Sequence, residues 1–325
     1  ELLRDVLPAG VLNVISGSDR LGPWMTAHPG FAKISFTGST ATGKAVLASA
    51  AADLKRVTLE LGGNDAAIVM PDVDVDAVAQ KIFFGAFFNT AQICVATKRL
   101  YVHEDIYDAL RDRLVAIARS VKMGDGTEQG TVLGPIQNRR QFDRVMELLD
   151  DARRNGLTLL QGADVPAAGY FIPVTIVDNP PETSRVVQEE AFGPVLPMMR
   201  FSDVDEVIAR ANDSPYGLAG AVWTQDVGRA HRVAAAVKAG TFWINGYKTI
   251  GVMSPFGGFG ESGYGRSSGY EGLLEYVRVK SVWVETAASF GAKYLVLAAN
   301  HGVPQIPLPA PLQPRPAHDF TSESL

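Results

Sequence analysis

Two residues of this sequence have side chains suited to nucleophilic and acid–base chemistry. Cys94 is the only cysteine among the 325 residues and lies in FFGAFFNTAQICVATKR (83–99). A thiolate is a strong nucleophile, although a lone cysteine among apolar residues is more often an inert part of the core. Glu60 ends an apolar stretch just before Gly62 and Gly63, where the backbone can approach a ligand closely. A carboxylate in an apolar cleft would serve as a general base, whereas one at an exposed strand end would have no special role.

Two further segments could bind a ligand that carries phosphate and sugar groups. SFTGSTATGK (35–44) indicates a strand, a glycine, a serine and a helix start, the arrangement in which a helix N-terminus binds phosphate. It matches neither the Walker spacing nor G-x-G-x-x-G, so an ordinary strand-to-helix turn remains open. VVQEEAFGPVLP (186–197) combines two carboxylates, an aromatic ring and a Gly-Pro turn. These residues could hold a ribose and a flat ring, or form a charged surface loop.

Composition excludes several classes of protein and site. The net charge is −5 and the isoelectric point about 5.6, so we expect no nucleic acid and no membrane as partner. There is no G-x-S-x-G elbow, the five histidines are scattered, and a zinc site lacks paired Cys and His ligands, so no metal is expected. A single cysteine permits no disulfide within the chain, which fits a reducing compartment, and we predict a cytoplasmic location.

The elements that must position these residues alternate between short apolar strands and longer helices, which predicts an α/β fold with mostly parallel sheets. Asp72 or Asp74 is a candidate N-cap, and Gly156 a candidate helix stop. A Gly/Pro-rich stretch, 248–269, predicts a long functional loop, and the tail is Pro-rich. Strands are predicted over 11–16, 32–38, 56–63, 65–70, 98–103 and 276–285, and helices over 42–54, 74–88, 104–122 and 139–156.

Taken together, these segments resemble the aldehyde dehydrogenase superfamily over residues 8–285. The order and rough spacing of eight motifs are similar to those of that family. The motifs are FTGS (36–39), LELGG (59–63), F-x-N-x-x-Q-x-C (87–94), LGP (133–135), EE-x-FGPV (189–195), SPYGLA (214–219), GT-x-WIN (240–245) and PFGG followed by SG-x-GR (255–266). The resemblance argues against Cys94 as an inert core residue.

The resemblance implies a parallel-sheet-rich α/β fold of the aldehyde dehydrogenase type, with an incomplete Rossmann-type cofactor domain and an α/β catalytic domain. Family members carry a long upstream segment that includes a second oxyanion donor, so we expect this chain alone to be inactive or not stably folded. The expected divisions are 1–60 (part of the cofactor domain), 61–247 (catalytic domain), 248–275 (Gly-rich loop and helix packing back on the cofactor domain), 276–286 (oligomerisation strand) and 287–325 (Pro-rich, flexible tail).

The resemblance also implies a mechanism. Cys94 would attack an aldehyde, NAD or NADP would accept a hydride, and Glu60 would activate the water that hydrolyses the resulting thioester. The complete protein would be a homodimer or homotetramer acting on a small aldehyde. The residues implied for the cofactor are Gly38, Ser39, Gly43, Leu61, Glu190 and Phe192, and those for the aldehyde pocket are Phe88, Ile93 and Phe256.

The sequence departs from the family pattern at two turns, and two other functions remain open. Ala91 stands where the family usually has a glycine before the Gln of the cysteine motif, and Asp19 where a second glycine often stands. A relative that passes the thioester to CoA would not need a base, so Glu60 argues against it. A non-catalytic oligomer component would not need Cys94, Glu60 and Glu190 together.

Overall fold

The computed structural model describes residues 3–284. Residues up to Val277 form one compact unit, and a second unit begins at Arg278. The Pro-rich tail expected over 287–325, and the end of the segment 276–286, lie outside the described residues. The domain boundaries proposed at residues 60 and 247 both fall inside the first unit. They stay predictions.

Helices and strands alternate along most of the described chain. The helices are α1 (Leu21–Ala27), α2 (Thr40–Ala51), α3 (Val75–Phe87), α4 (Glu104–Ser120), α5 (Arg139–Arg154), α6 (Arg185–Gln188), α7 (Val204–Asn212), α8 (Val227–Ala236) and α9 (Gly269–Leu274), with a 3-10 turn at Phe88–Ala91. The strands are β1 (Lys33–Thr37), β2 (Arg56–Glu60), β3 (Asp65–Val69), β4 (Thr97–His103), β5 (Thr158–Gln161), β6 (Thr175–Asp178), β7 (Val195–Phe201), β8 (Tyr216–Gly217), β9 (Ala219–Trp223), β10 (Thr241–Ile244), β11 (Phe259–Gly260) and β12 (Gly263–Tyr264).

The larger sheet has the strand order β10-β9-β3-β4-β7-β6-β5, and all its neighbouring strands are parallel except β5 and β6. Helices cover both faces, as a parallel sheet requires. Along β3, Ala67 and Val69 join the core under α3 and α4, whereas Ala66 and Ile68 join the core under α5, α7 and α8. The sheet-rich α/β fold expected from the sequence is confirmed.

A smaller sheet carries the second group of candidate residues. β1 and β2 are parallel, and β12 pairs antiparallel with β2. The backbone N–H of Leu61 also donates to the carbonyl of Ser262. These pairings bring residues of the Gly-rich segment 248–269 beside Glu60, about 200 positions earlier in the chain. A third pairing, between β8 and β11, joins the same segment to the SPYGLA motif.

Local signals fix the ends of the principal helices. The carboxylate of Asp74 accepts from the backbone N–H groups of Asp76 and Ala77, so Asp74 is the N-cap of α3. Asp72, the alternative candidate, instead accepts from the Thr224 hydroxyl. Gly156 follows α5 with a φ of +70°, a conformation that glycine adopts without the penalty of a Cβ.

Two strand predictions differ from the structure. Residues 11–16 form no strand, and Val11, Leu12, Val14 and Ile15 are exposed, because no described strand lies beside them to complete a hydrogen-bonded ladder. Residues 276–284 also form no strand. An oligomerisation strand pairs with a partner subunit, so this role for 276–286 stays a prediction.

Candidate active site

The candidate residues meet where the ends of the two sheets face each other. Gly38 directly follows β1, and Glu60 ends β2. Cys94 lies three positions before β4, and Glu190 lies five positions before β7. Carboxyl ends of the small sheet and amino ends of the large sheet therefore supply the site together.

A cleft of about 560 Å³ brings most of the predicted cofactor residues next to the cysteine. The predicted residues that line it are Gly38, Ser39, Leu61, Cys94, Glu190 and Phe192, and Gly62, Gln137, Asn138, Arg140, Gln141 and Arg144 are among the others. The predicted residues that do not line it are Glu60, Gly43, Phe88, Ile93 and Phe256.

The loop before Cys94 has an unusual backbone. Asn89, Thr90 and Ala91 have φ values of 54°, 55° and 58°, so three successive residues with a Cβ adopt the left-handed conformation. Each such residue costs about 1–2 kcal/mol relative to the right-handed form. This geometry explains why a glycine suits position 91, and Ala91 accommodates it with a side chain only 4% exposed.

The LGP segment holds this strained loop in place. The Gln92 side chain donates to the carbonyl of Pro135 at 3.1 Å and accepts from the backbone N–H of Gln137 at 2.8 Å. The Thr90 hydroxyl donates to the carbonyl of Gly134 at 3.0 Å. The polar residues around the cysteine therefore have a clear structural task, which is to fix the path of the chain that presents the thiol.

The Cys94 thiol is half-buried, and the groups around it oppose one another electrostatically. Burial raises the pKa of Cys94, and the negative charges of Asp65 and Glu190 raise it further. The positive charge of Lys98 and a hydrogen bond from the Val95 backbone lower it. These last two groups favour the thiolate that nucleophilic chemistry requires.

Glu190 is held inward against the two glycines that follow Glu60. Its carboxylate accepts from the backbone N–H of Gly63 at 3.2 Å and pairs with the ammonium of Lys98 at 2.8 Å. A Cβ at Gly62 would lie 2.3 Å from Oε2 of Glu190, so only glycine leaves room for this carboxylate. The neighbouring Glu189 instead forms surface ion pairs with Arg144 and Arg185. The two adjacent glutamates thus have different tasks.

Phe192 lies in the cleft with a φ of 48°. The side chain of Gln141 holds this turn, because it donates to the carbonyls of Ala191 and Phe192 at 2.9 and 3.1 Å. The result is an aromatic ring presented beside Glu190. This is the arrangement that the sequence suggested for a ribose and a flat ring.

The start of α2 provides the other wall of the cleft. The Ser39 hydroxyl is the N-cap and accepts from the backbone N–H of Thr42 at 3.2 Å. The N–H of Gly38 donates to the carbonyl of Glu60 at 3.0 Å and is therefore occupied. Gly43 does not line the cleft, and a Cβ there would lie 2.4 Å from the side chain of Leu61. Gly43 thus allows α2 to approach Leu61 closely.

Glu60 lies next to the cleft residues Leu61 and Gly62, and its side chain is only 7% exposed. Its Oε1 accepts from the Ser267 hydroxyl at 3.0 Å, while Oε2 is buried without a hydrogen-bond partner. Burial raises the pKa of Glu60, and the Ser267 hydrogen bond and the charge of Arg266 oppose that rise. A buried carboxylate with an unsatisfied oxygen is a strong proton acceptor.

The three predicted aldehyde-pocket residues are not together in one cavity. Phe88 lines a second cavity of about 780 Å³, with Phe84, Tyr247 and Lys248. Ile93 is adjacent in sequence to Cys94 but lines neither cavity. Phe256 exchanges two backbone hydrogen bonds of 2.7 Å with Ser267, the residue that bonds Glu60.

Four residues that sequence reasoning assigned no role complete the surroundings of the site: Asp65, Lys98, Tyr247 and Ser267. The Asp65 side chain is 2% exposed and accepts from the Tyr247 hydroxyl at 2.8 Å and the Ala219 backbone at 3.1 Å. Burial raises the pKa of Asp65 to about 7. The signal available in the sequence was the charge itself, because Asp65 begins an otherwise apolar strand and Lys98 lies near the start of β4.

The described residues contain neither a metal-binding group nor a membrane-spanning helix. Within 3–284, no three His, Cys, Asp or Glu side chains are grouped closely enough to hold a metal ion. In the same range, no helix has the length and apolar character needed to cross a bilayer.

Comparison with known proteins agrees with this geometry. A family model described as the aldehyde dehydrogenase family matches residues 1–282. A probable aldehyde dehydrogenase of Pseudomonas sp is 51% identical over 286 residues, covering 88% of this chain and 58% of the relative. This chain therefore spans less than two thirds of that relative's length.

Two solved structures are also similar. The crystal structure of a putative aldehyde dehydrogenase from Burkholderia cenocepacia has a TM-score of 0.83 and 44% identity, covering 86% of this chain and 58% of the other. A betaine aldehyde dehydrogenase from Staphylococcus aureus in complex with NAD+ has a TM-score of 0.76 and 36% identity, covering 79% of this chain and 53% of the other. On the family match, the fold and the site, the chain belongs to the aldehyde dehydrogenase family.

Proposed function

We propose that the whole protein oxidises an aldehyde to a carboxylic acid with NAD+ or NADP+, using Cys94 as nucleophile and Glu60 as base. The observation that carries this proposal is the single cleft lined by Cys94, Ser39, Glu190 and Phe192, with Glu60 buried beside it. The chain spans 58% of its Pseudomonas relative, so the activity is proposed for the whole protein.

The first task of the chain is attack on the aldehyde. The Cys94 thiolate forms a bond to the carbonyl carbon and gives a thiohemiacetal, whose oxygen carries the negative charge. Within the described residues, no protein acceptor receives the backbone N–H of Cys94, so this donor is available to that oxygen. Loss of hydride from the thiohemiacetal leaves a thioester on Cys94.

The residues of the cleft fit a nicotinamide nucleotide. Glu190 offers a carboxylate to a ribose, Phe192 offers a ring face, and the start of α2 offers backbone N–H groups to a phosphate. The space that Gly62 leaves for Glu190 supports this fit, because it gives the carboxylate room at the wall of the cleft. Bound NAD+ or NADP+ supplies the hydride acceptor.

Glu60 then hydrolyses the thioester. The raised pKa of Glu60 suits a general base. Its Oε2 has no hydrogen-bond partner among the described residues, so it can accept from water without breaking an existing bond. The carboxylate accepts a proton from water, the water oxygen adds to the thioester carbon, and the acid leaves as the thiol of Cys94 is regenerated. Such a base has no role when CoA receives the acyl group, which favours hydrolysis over CoA acylation.

The aldehyde pocket, the assembly and the location complete the proposal. Phe88 and the cavity of about 780 Å³ that it lines accommodate the body of the aldehyde, and Ile93 and Phe256 complete the proposed pocket. The complete protein is a homodimer or homotetramer paired through 276–286, and it is cytoplasmic. Light scattering tests the assembly, and a sharp monomer would contradict it.

The test of the activity is aldehyde-dependent formation of reduced nicotinamide cofactor by the whole protein. A panel of small aldehydes is assayed with NAD+ and with NADP+, in the presence and absence of CoA. We expect a free carboxylic acid as product and no turnover by Cys94→Ser. Turnover that requires CoA would favour the acylating alternative. The absence of turnover with intact folding would favour a non-catalytic component.

A further inference from the structure

We propose that Lys98 is a positioning residue that links the nucleophile loop to the cofactor-binding carboxylate and favours the thiolate of Cys94. This role rests on the proposed function, because it concerns the same nucleophile and the same carboxylate. Lys98 has no assigned role from the sequence, and its burial is unusual for a lysine.

The contacts of Lys98 carry the proposal. Its ammonium donates to the backbone carbonyl of Cys94 at 2.5 Å and pairs with Glu190 at 2.8 Å. It also lies 5.9 Å from the ring centre of Phe192. One buried cation therefore touches the peptide that presents the thiol and both residues proposed to receive the nicotinamide end of the cofactor.

Burial makes these contacts costly to lose. The Lys98 side chain is only 5% exposed, so its charge is poorly solvated if Glu190 is removed, whereas Glu190 is 15% exposed and borders the cleft. Asp65 lies close enough for the charge of Lys98 to lower its pKa, against a larger rise from burial. Lys98 and Glu190 carry opposite charges, and burial favours the protonated form of Asp65.

The charges that face the Cys94 thiol come from three elements. Lys98 lies on β4, Asp65 lies on β3, and Glu190 lies on the loop before β7. Tyr247, which donates to Asp65, follows β10. Lys98 is the cation that lowers the pKa of the thiol, while Asp65 and Glu190 both oppose the thiolate. Lys248, which follows Tyr247, is a second, half-buried cation whose pKa responds to Lys98 and Asp65.

The test is the rate of Cys94 alkylation by iodoacetamide as a function of pH, in the whole protein without aldehyde or cofactor. Lys98→Met removes the cation, so we expect about tenfold slower alkylation at neutral pH and a profile moved to higher pH. Glu190→Gln removes an opposing charge and moves the profile to lower pH. Lys98→Arg restores the profile, and the exposed Lys122→Met is the matched control.

Shifts of opposite sign separate this role from a purely structural one. A loosened fold would expose the thiol in both variants and change both rates in the same direction. Hydrogen–deuterium exchange of the peptide 88–95 adds a second readout. We expect faster exchange in Lys98→Met, which loses the bond to the Cys94 carbonyl, and unchanged exchange in Glu190→Gln, which keeps it.

Two outcomes overturn the proposal: a Lys98→Met profile that coincides with that of the parent protein, or equal shifts in both variants. Circular dichroism checks that each variant folds. Where Lys98→Met alone does not fold, the double variant Lys98→Met/Glu190→Gln, in which both charges are removed, replaces it. Its alkylation profile must lie at higher pH than that of Glu190→Gln. Because iodoacetamide needs neither aldehyde nor cofactor, failure of the oxidation assay and failure of this proposal are separate results.

Discussion

Ser267 donates its hydroxyl to Oε1 of Glu60 at 3.0 Å, although the two residues are 207 positions apart. The antiparallel pairing of β12 with β2 brings these residues together. The second carboxylate oxygen of Glu60 is buried without a partner. The proposed base is therefore held by one hydroxyl, and its second oxygen has no hydrogen-bond partner among the described residues.

Ser267→Ala should weaken the acidity of Glu60. The hydrogen bond lowers the pKa of the carboxyl group, so its loss raises that pKa further. Glu60 is then deprotonated only at higher pH. The acidic limb of the plot of hydrolysis rate against pH therefore shifts to higher pH. Pre-steady-state hydrolysis of the acyl-enzyme, followed across pH, measures this shift. Ser120→Ala, which removes a surface hydroxyl bonded to Ile117, should leave the profile unchanged.

Ala91→Gly should stabilise the protein by about 0.5–1 kcal/mol, because glycine removes the left-handed strain at φ 58° and only part of the gain is lost to unfolded-chain entropy. Ala116→Gly on the exposed face of α4 is the matched control, and it should destabilise by about 1 kcal/mol. Denaturant unfolding measures both. Equal effects of the two substitutions would contradict strain at position 91.

Asp65→Asn should change the pH dependence of stability. The pKa of Asp65 is raised from 3.8 to about 7 in the folded state, so folding favours the protonated form. This contribution is complete below pH 3.8 and is lost as pH rises to about 7, a change on the order of 4 kcal/mol. Asp65→Asn should therefore flatten the free energy of unfolding over this range. The exposed Asp150→Asn, measured in the same way, should retain the slope of the parent protein.

Gly62→Ala should impair cofactor binding through Glu190. The added Cβ would lie 2.3 Å from Oε2 of Glu190, so the carboxylate must move away from its place in the cleft. We expect the Kd for NAD+ of the whole protein to rise about tenfold, the usual effect of one lost charge-assisted hydrogen bond. Gly126→Ala, where a Cβ meets nothing within 4 Å, is the control. Unchanged binding would argue against Glu190 as a cofactor contact.

Ordered motifs indicate the proposed site residues because each motif combines a chemical group with a turn that presents it. Cys94 and Glu190 were found in this way, and both lie in the cleft. Lys98 and Asp65 were not, since Glu190 and Tyr247, which they contact, lie far away in the sequence and no local pattern reveals such pairs. The strand predicted over 11–16 failed for a related reason. Apolar alternation specifies a strand only where a neighbouring strand completes its hydrogen bonds.

The central claim, that Glu60 hydrolyses a thioester formed on Cys94, is tested most directly by intact-protein mass spectrometry of the whole protein carrying Glu60→Gln. The variant is mixed with an aldehyde and NAD+, and the protein mass is followed with time. We predict one added acyl group that is lost only slowly and is absent in the double variant Glu60→Gln/Cys94→Ser. A Glu60→Gln protein that turns over normally without accumulating an acyl group would contradict the claim, as would an adduct that persists without Cys94.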